Sequence, residues 1–330
     1  TRSSYLFFDR KRKKLYNLNV KEIKKFMKKM INSVHLEGLL YQHKLEKKIA
    51  GATSKNPGAE YIQGTVDIAT DSALTNIVQV HYTYVSPLTN KGKENPSYTT
   101  LANIENGTYP SVMSAGADKA QMLRIDTAIG VNDFYTEREG NPTLVTAKRN
   151  EGGFIHTTTS LTPDESARCN FETDIVITGT TRKEADEERG LPEKLIVKGA
   201  IFDYRNALLP VEFSVLNPKA MDYFEDLDAT SKNPVFTKVK GNEVSETTVK
   251  RIEEEGAWGE VSVREVTNSR RDFVITWAPA EPYAWDDKDT ILASEMNKAI
   301  ADREVHLAEV KARYDEYKAS KSGRNNFAEP

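Results

Sequence analysis

The chain has 330 residues, 38% hydrophobic and 29% charged, a globular composition long enough for two ordinary domains. No apolar run nears the roughly 18 residues of a membrane span, and Tyr5-Leu6-Phe7-Phe8 is too short for a secretory signal. One cysteine, Cys169, excludes an internal disulfide framework; it fits a reducing compartment and reads as a small core residue. The net charge of −3 hides an asymmetry: residues 1–50 hold 14 Lys and Arg against 4 Asp and Glu, a net of +10, so the other 280 residues carry −13. Such a basic segment is either an electrostatic arm for an acidic partner or a solvated helix face.

In chain order, the basic run Arg10–Lys14 precedes Val20, Ile23, Phe26, Met27, Met30 and Ile31. Their spacings of three and four predict an amphipathic helix, with Asn19 as its N-cap. Leu36, Leu39, Leu40 and Leu45 predict a second helical piece reaching Ile49, and residues 51–59 have the composition of a linker. From Tyr61 the period becomes two. Strands are expected around Ile62–Ile68, Ile77–Tyr84, Leu123–Tyr135, Leu144–Arg149 and Phe154–Ile155, with an interruption over 87–120.

A second meander is expected from Phe171–Thr178, Lys194–Tyr204 and Leu208–Val215, the last two joined by a tight turn at Arg205-Asn206. Asn217-Pro218 predicts a helix to Leu227, because Asn caps and Pro suits the first helical position. Val235–Val239 and Trp258–Val266 read as strands separated by a helical or irregular Glu-rich stretch, with Asp272–Trp277 as the last strand. Residues 286–318 predict a C-terminal helix, acidic early and basic late, and 319–330 a disordered tail.

Enzyme signatures are absent from the sequence: there is no Walker-type loop, no Gly-x-Gly-x-x-Gly after a strand and no His-Glu-x-x-His. His35, His43, His81, His156 and His306 are scattered, and with one Cys they give no structural zinc spacing. Runs of adjacent acids such as Asp186-Glu187-Glu188 and Glu253-Glu254-Glu255 point in different directions and read as solvated faces. The expectation is a non-enzymatic protein with no catalytic residue, metal or cofactor.

What recurs is aromatic and basic residues together on strands and turns. In the first meander these are Tyr82, Tyr84, Lys91, Lys93, Tyr98, Arg124, Phe134, Tyr135, Arg138, Lys148, Arg149 and Phe154. In the second they are Lys198, Phe202, Tyr204, Arg205, Phe236, Lys238, Lys240, Trp258, Arg264, Arg270 and Arg271. Single-stranded nucleic acid is held by this combination, rings stacking on bases and cations following phosphates. Core packing is the competing explanation for any single ring. Phe134 and Tyr135, as strand neighbours, should face opposite ways.

The segments Ile129–Tyr135, Lys148–Phe154, Val197–Tyr204 and Val235–Gly241 give the chain its pattern, and over roughly residues 60–280 it resembles the tandem OB-fold single-stranded DNA-binding proteins of bacteriophages and related mobile elements of Gram-positive bacteria. The C-terminal Asn325–Pro330 departs from the acidic tip of bacterial single-strand-binding proteins, and the first fifty residues lie outside the resemblance. The strand count and spacing of each meander fit an OB-type barrel, as the resemblance implies, so the expected fold is mainly β (α+β) with two OB-like antiparallel barrels at 60–165 and 168–280; the basic helical arm over 1–50 and the C-terminal helix flank them. The resemblance implies sequence-independent binding of single-stranded DNA in replication or recombination, in the cytoplasm of a bacterial host. The implied partners are single-stranded DNA, replication or recombination proteins and further copies of the chain, with no membrane. A virion or assembly protein using the same β-domains and terminal helices as interfaces is the alternative.

Overall fold

The computed structural model describes residues 30–54, 56–186, 190–255, 258, 261–285 and 293–325. The fold is mostly β-sheet with few helices. The first half comprises β1 (Asn32–Ile49), β2 (Glu60–Ala69), β3 (Ile77–Val85), α1 (Pro96–Glu105), the single turn α2 (Val112–Ala115), β4 (Met122–Arg138) and β5 (Asn141–Thr157). The second comprises β6 (Cys169–Lys183), β7 (Lys194–Phe202), β8 (Leu208–Val215), α3 (Pro218–Asp226), β9 (Val235–Glu255) and β10 (Val261–Trp277), and α4 (Ala293–Asn325) follows. Among the described residues no helix is long and apolar enough to cross a membrane.

The strand pairings form two closed circuits with one plan. β1 pairs with β2, β2 with β3, β3 with β5, β5 with β4, and β4 again with β1. The second runs β6–β7–β8–β10–β9–β6. In each, the link between third and fifth strands is a short parallel pairing and the other links are antiparallel, which corrects the expectation of a wholly antiparallel arrangement. A helix stands between third and fourth strands both times, and the same local chemistry starts it. Asn95 accepts from the Ser97 amide at 3.2 Å with Pro96 following, and Asn217 accepts from the Ala220 amide at 3.2 Å with Pro218 following.

Inward-facing apolar residues of both circuits form one contiguous core. It runs from Leu36, Ile62, Val80 and Ile125 to Ile175, Val197, Phe213 and Ile275. Phe171 stacks on Phe213 at 5.2 Å between centroids and meets Phe273 edge-on at 5.4 Å. The junction is made by backbone pairing of β1 with β6, and the Asn32 amide adds to it. Its nitrogen donates to the carbonyls of Ile129 (2.9 Å) and Phe202 (3.2 Å), and its oxygen accepts from the Ile129 amide (3.0 Å). Nearby, Asn150 donates to the buried carboxyl of Glu243 at 2.7 Å, and Asn76 takes the Ser245 amide at 2.6 Å.

α4 lies across both circuits. Met296 and Ala299 pack with Phe202 and Phe236. Arg303 makes two 2.6 Å hydrogen bonds to Asp133, Tyr314 sits 5.6 Å from the Tyr135 ring, and Lys318 pairs with Glu137.

Several expectations are corrected. Residues 32–49 are a strand, not part of a helical arm. Val34, Leu36, Gly38 and Leu40 are buried on a two-residue period, and the register shift between Leu40 and Gln42 then brings Leu45 inward, which mimics helical spacing. Gly38 is required there, since a Cβ would stand 2.0 Å from the Ala69 carbonyl oxygen. Residues 51–59 close the β1–β2 hairpin rather than linking domains, with Ala50 and Ala59 hydrogen-bonded at 2.9 Å. β9 and β10 are one long hairpin, replacing the three strands and Glu-rich interruption. α4 continues to Asn325, through most of the expected disordered tail. The helix expected over residues 20–31 lies almost wholly outside the described residues.

Removing residues 1–50 takes away β1 and should abolish cooperative unfolding in a denaturant titration, whereas removing 1–29 leaves every described strand; a cooperative 51–330 fragment would contradict the pairing. Burial pushes the Glu243 carboxyl up to about 7, against the Asn150 hydrogen bond and the Lys148 charge, which lower it. The folded chain therefore keeps a proton that the unfolded chain has released, so this contribution is full at acid pH and is lost as pH rises through about 7, a change of about 3 kcal/mol. Glu243→Gln should be less pH-dependent than the parent between about pH 5 and about pH 8; an identical profile would place the proton elsewhere.

Candidate nucleic-acid interface

The expected aromatic and basic residues fall into three groups: buried, engaged at the surface, and free to meet a ligand. Phe202 is 1% exposed and Phe236 and Tyr82 are also buried, so these rings are core residues. Phe202 is lost from the candidate surface because α4 covers the outward side of β7 as well as the core covering its inward side. Tyr98 is half-buried on α1 against the core, and desolvation, with the hydrogen bond its hydroxyl donates to Glu60, pushes its pKa up to about 12.

On β4 and β5, Arg124 sits 3.5 Å from Asp126, which also takes His35 at 2.8 Å. Phe154 is 67% exposed directly opposite Asp126. Further out, Phe134 is exposed while Tyr135 is turned under α4, with Lys311 5.7 Å from its ring centre. The two rings do face opposite ways, and neither is in the core, because the β4–β5 hairpin extends beyond it. Arg138 is exposed beside the turn at Glu139-Gly140, both residues of which take positive φ. Lys91 and Lys93 are exposed in the loop between β3 and α1.

In the second circuit, Tyr204 is 77% exposed in the β7–β8 turn, with the Arg205 guanidinium 4.9 Å from its ring. The turn forms because Asp203 accepts the amides of Arg205 and Ala207 at 2.8 Å each and Asn206 takes a positive φ of 62°. Lys238 and Lys240 flank Glu172 at 2.7 and 3.3 Å, and the Glu172 hydrogen bond raises the Lys238 pKa. Lys240 also lies 5.4 Å from the ring of Trp277, which is half exposed. Lys198 is 3.8 Å from Glu212. Trp258, at the β9–β10 tip, is 93% exposed. The side chains of Arg264 and Arg270 lie outside the described ones.

Lys148, Arg149 and Arg271 converge on one cavity between the circuits. Lys148 donates to the Glu212 carbonyl, and burial lowers its pKa against the pull of Asp272, Glu243 and Glu212. Arg149 reaches Glu151 at 2.8 Å. Among the described residues no group of His, Cys, Asp and Glu is arranged to hold a metal ion.

Three surface features escaped sequence reasoning. Tyr61 and Tyr84 stack at 4.5 Å, 26° from parallel, at one end of β2 and β3. Tyr84 carried a signal; Tyr61 needed the β2–β3 register, which is shifted between Ile62 and Gly64. Trp277 ends its strand in an exposed position, and Tyr41 lines the cavity because β1 is a strand.

Comparison with curated proteins finds no match. Among solved structures, a deletion variant of the single-stranded DNA binding protein from Thermus aquaticus is similar, with a TM-score of 0.40 and 9% sequence identity, covering 78% of this chain and 97% of that one. The family model described as YorF matches residues 30–313. The chain belongs to the YorF family.

Proposed function

We propose that this chain is a non-enzymatic binder of single-stranded DNA, largely indifferent to sequence, acting in phage or mobile-element replication or recombination. Each strand circuit, with its helix between third and fourth strands, is read as an OB-type barrel, the first over about residues 32–157 and the second over about 169–277. The observation that carries the reading is the set of exposed rings on strands and turns: Tyr84, Phe134, Phe154, Tyr204, Trp258 and Trp277. Arg205 and Lys240 stand within cation–π reach of two of them. Stacking a base on such a ring is worth about 1–3 kcal/mol, and any base supplies a face. With a net charge of −3, phosphate attraction is local rather than global.

A second reading, a virion or assembly protein, draws on the exposed Ile300, Val305 and Tyr317 of α4. Co-sedimentation with particles, without affinity for oligonucleotides, would favour it.

The test is fluorescence anisotropy with a labelled poly-pyrimidine strand and its duplex, each at two salt concentrations. The single strand should bind more tightly, with affinity falling as salt rises. Tyr204→Ala, Phe154→Ala and Trp277→Ala should each weaken binding by about 1–3 kcal/mol with little change in melting temperature. Phe202→Ala should instead cost about 3–5 kcal/mol of folding stability. Equal affinity for strand and duplex, or variants indistinguishable from the parent, would reduce the exposed rings to incidental surface.

A further inference from the structure

The cavity between the circuits has a volume of about 450 Å³, inside the range of small-molecule sites, and junctions of this kind are where such sites concentrate. Its walls come from β1, β2, β3 and β5 on one side and β9 and β10 on the other. Its acids are largely committed. Asp67 accepts from Gln42 at 2.7 Å and Gln79 at 2.8 Å, and Asp272 accepts from Lys194 at 2.8 Å and from the Ser214 hydroxyl. Glu243 takes Asn150, and its burial favours the neutral form.

Of the cations, Arg149 pairs with Glu151; Lys148 donates to the uncharged Glu212 carbonyl and stands 4.8 Å from the Phe273 ring centre and 5.3 Å from that of Phe213; Arg271 is exposed at the rim. Among the described residues, two buried polar atoms of lining residues, the Arg149 Nε donor and the Asn150 Oδ1 acceptor, have no hydrogen-bond partner. Tyr41 and His81 add aromatic side chains to the lining, while Phe273, 4% exposed, lies beneath Lys148. A cationic group, an amide-rich wall and aromatic faces within one space match a compound that joins an anion to a planar heterocycle.

We infer that this cavity binds one nucleotide unit, a phosphate with its base, as a free deoxynucleoside monophosphate or as the phosphorylated end of a DNA strand. The inference rests on the strand-binding reading for its choice of a nucleotide over other phosphorylated heterocycles. Lys148 and Arg271 take the phosphate, and the carboxamide of Gln79 faces the base edge.

Calorimetric titration of the full chain with deoxythymidine and deoxyadenosine monophosphates, thymidine and inorganic phosphate tests it. At least one monophosphate should bind about tenfold or more tightly than thymidine and phosphate alone. Lys148→Met and the rim variant Arg271→Gln should each weaken it about fivefold or more, the second with unchanged melting. Displacement by a 5′-phosphorylated linear dT strand, but not by a circular dT strand, assigns the site to strand ends; displacement by neither assigns it to the free nucleotide. No monophosphate binding at millimolar concentration, or thymidine binding as tightly, overturns the inference. Direct affinity of the parent chain for the circular strand is measured alongside. Strand binding without nucleotide binding then defeats the cavity alone, and nucleotide binding without strand binding defeats the strand reading alone.

Discussion

The arrangement depends on two first strands satisfying each other's backbone. β1 pairs with β2 and β4 inside its circuit, β6 with β7 and β9 inside its own, and the two pair together over Asn32–Leu36 and Cys169–Thr173. Buried amides and carbonyls must be paired, so a strand end emerging from one circuit cannot be left bare. Here the other circuit supplies the partner. The Asn32 side chain then reaches carbonyls on β4 and β7 at once, and the Ile31 amide donates to Asp174 at 2.8 Å. The relative placement of the circuits follows from these bonds, and so does the space between β3, β5, β9 and β10.

α4 decides which outward faces remain open. Its anchor is the Arg303–Asp133 pair, both side chains at most 12% exposed and joined by two hydrogen bonds. Removing one partner of such a pair costs about 3–5 kcal/mol, since the other charge is left buried alone. Those hydrogen bonds and the Arg303 charge hold the Asp133 carboxyl below its usual range despite burial. With the anchor set, the helix lays Met296 and Ala299 over Phe202 and Phe236 and brings Tyr314 to Tyr135. A ring's availability is therefore a property of the distant C-terminal helix as much as of its own strand.

Much of the framework was legible in the sequence because local chemistry dictated it. The Arg205-Asn206 turn and the Asn217-Pro218 helix start are signals contained within a few residues. The long β4 strand was legible too, from alternation uninterrupted across Gly130. β1 was not, because a bulge changed its phase and crowded Gly38 replaced an apolar marker. The β9–β10 hairpin was not, because its paired residues include many charges and few apolar ones over 243–255. In the candidate site, Lys148, Arg149 and Arg271 were named from composition, but their convergence depends on strand order across both circuits, which no local pattern encodes.

Phe202 and Tyr204 show how far an aromatic count can go. Two residues apart, they share a strand-and-turn segment and sit among similar neighbours, yet one is 1% and the other 77% exposed. Both satisfy the preference of aromatic residues for extended backbone, so that preference cannot separate packing from recognition. The separating fact is non-local: what covers the outward face. Tyr204 leaves the covered face at the turn and meets Arg205; Trp277 does the same at the end of β10 and meets Lys240. Tyr204, just past the end of β7, and Trp277, at the end of β10, escape both the core and α4, and there an exposed ring and a positive charge coincide.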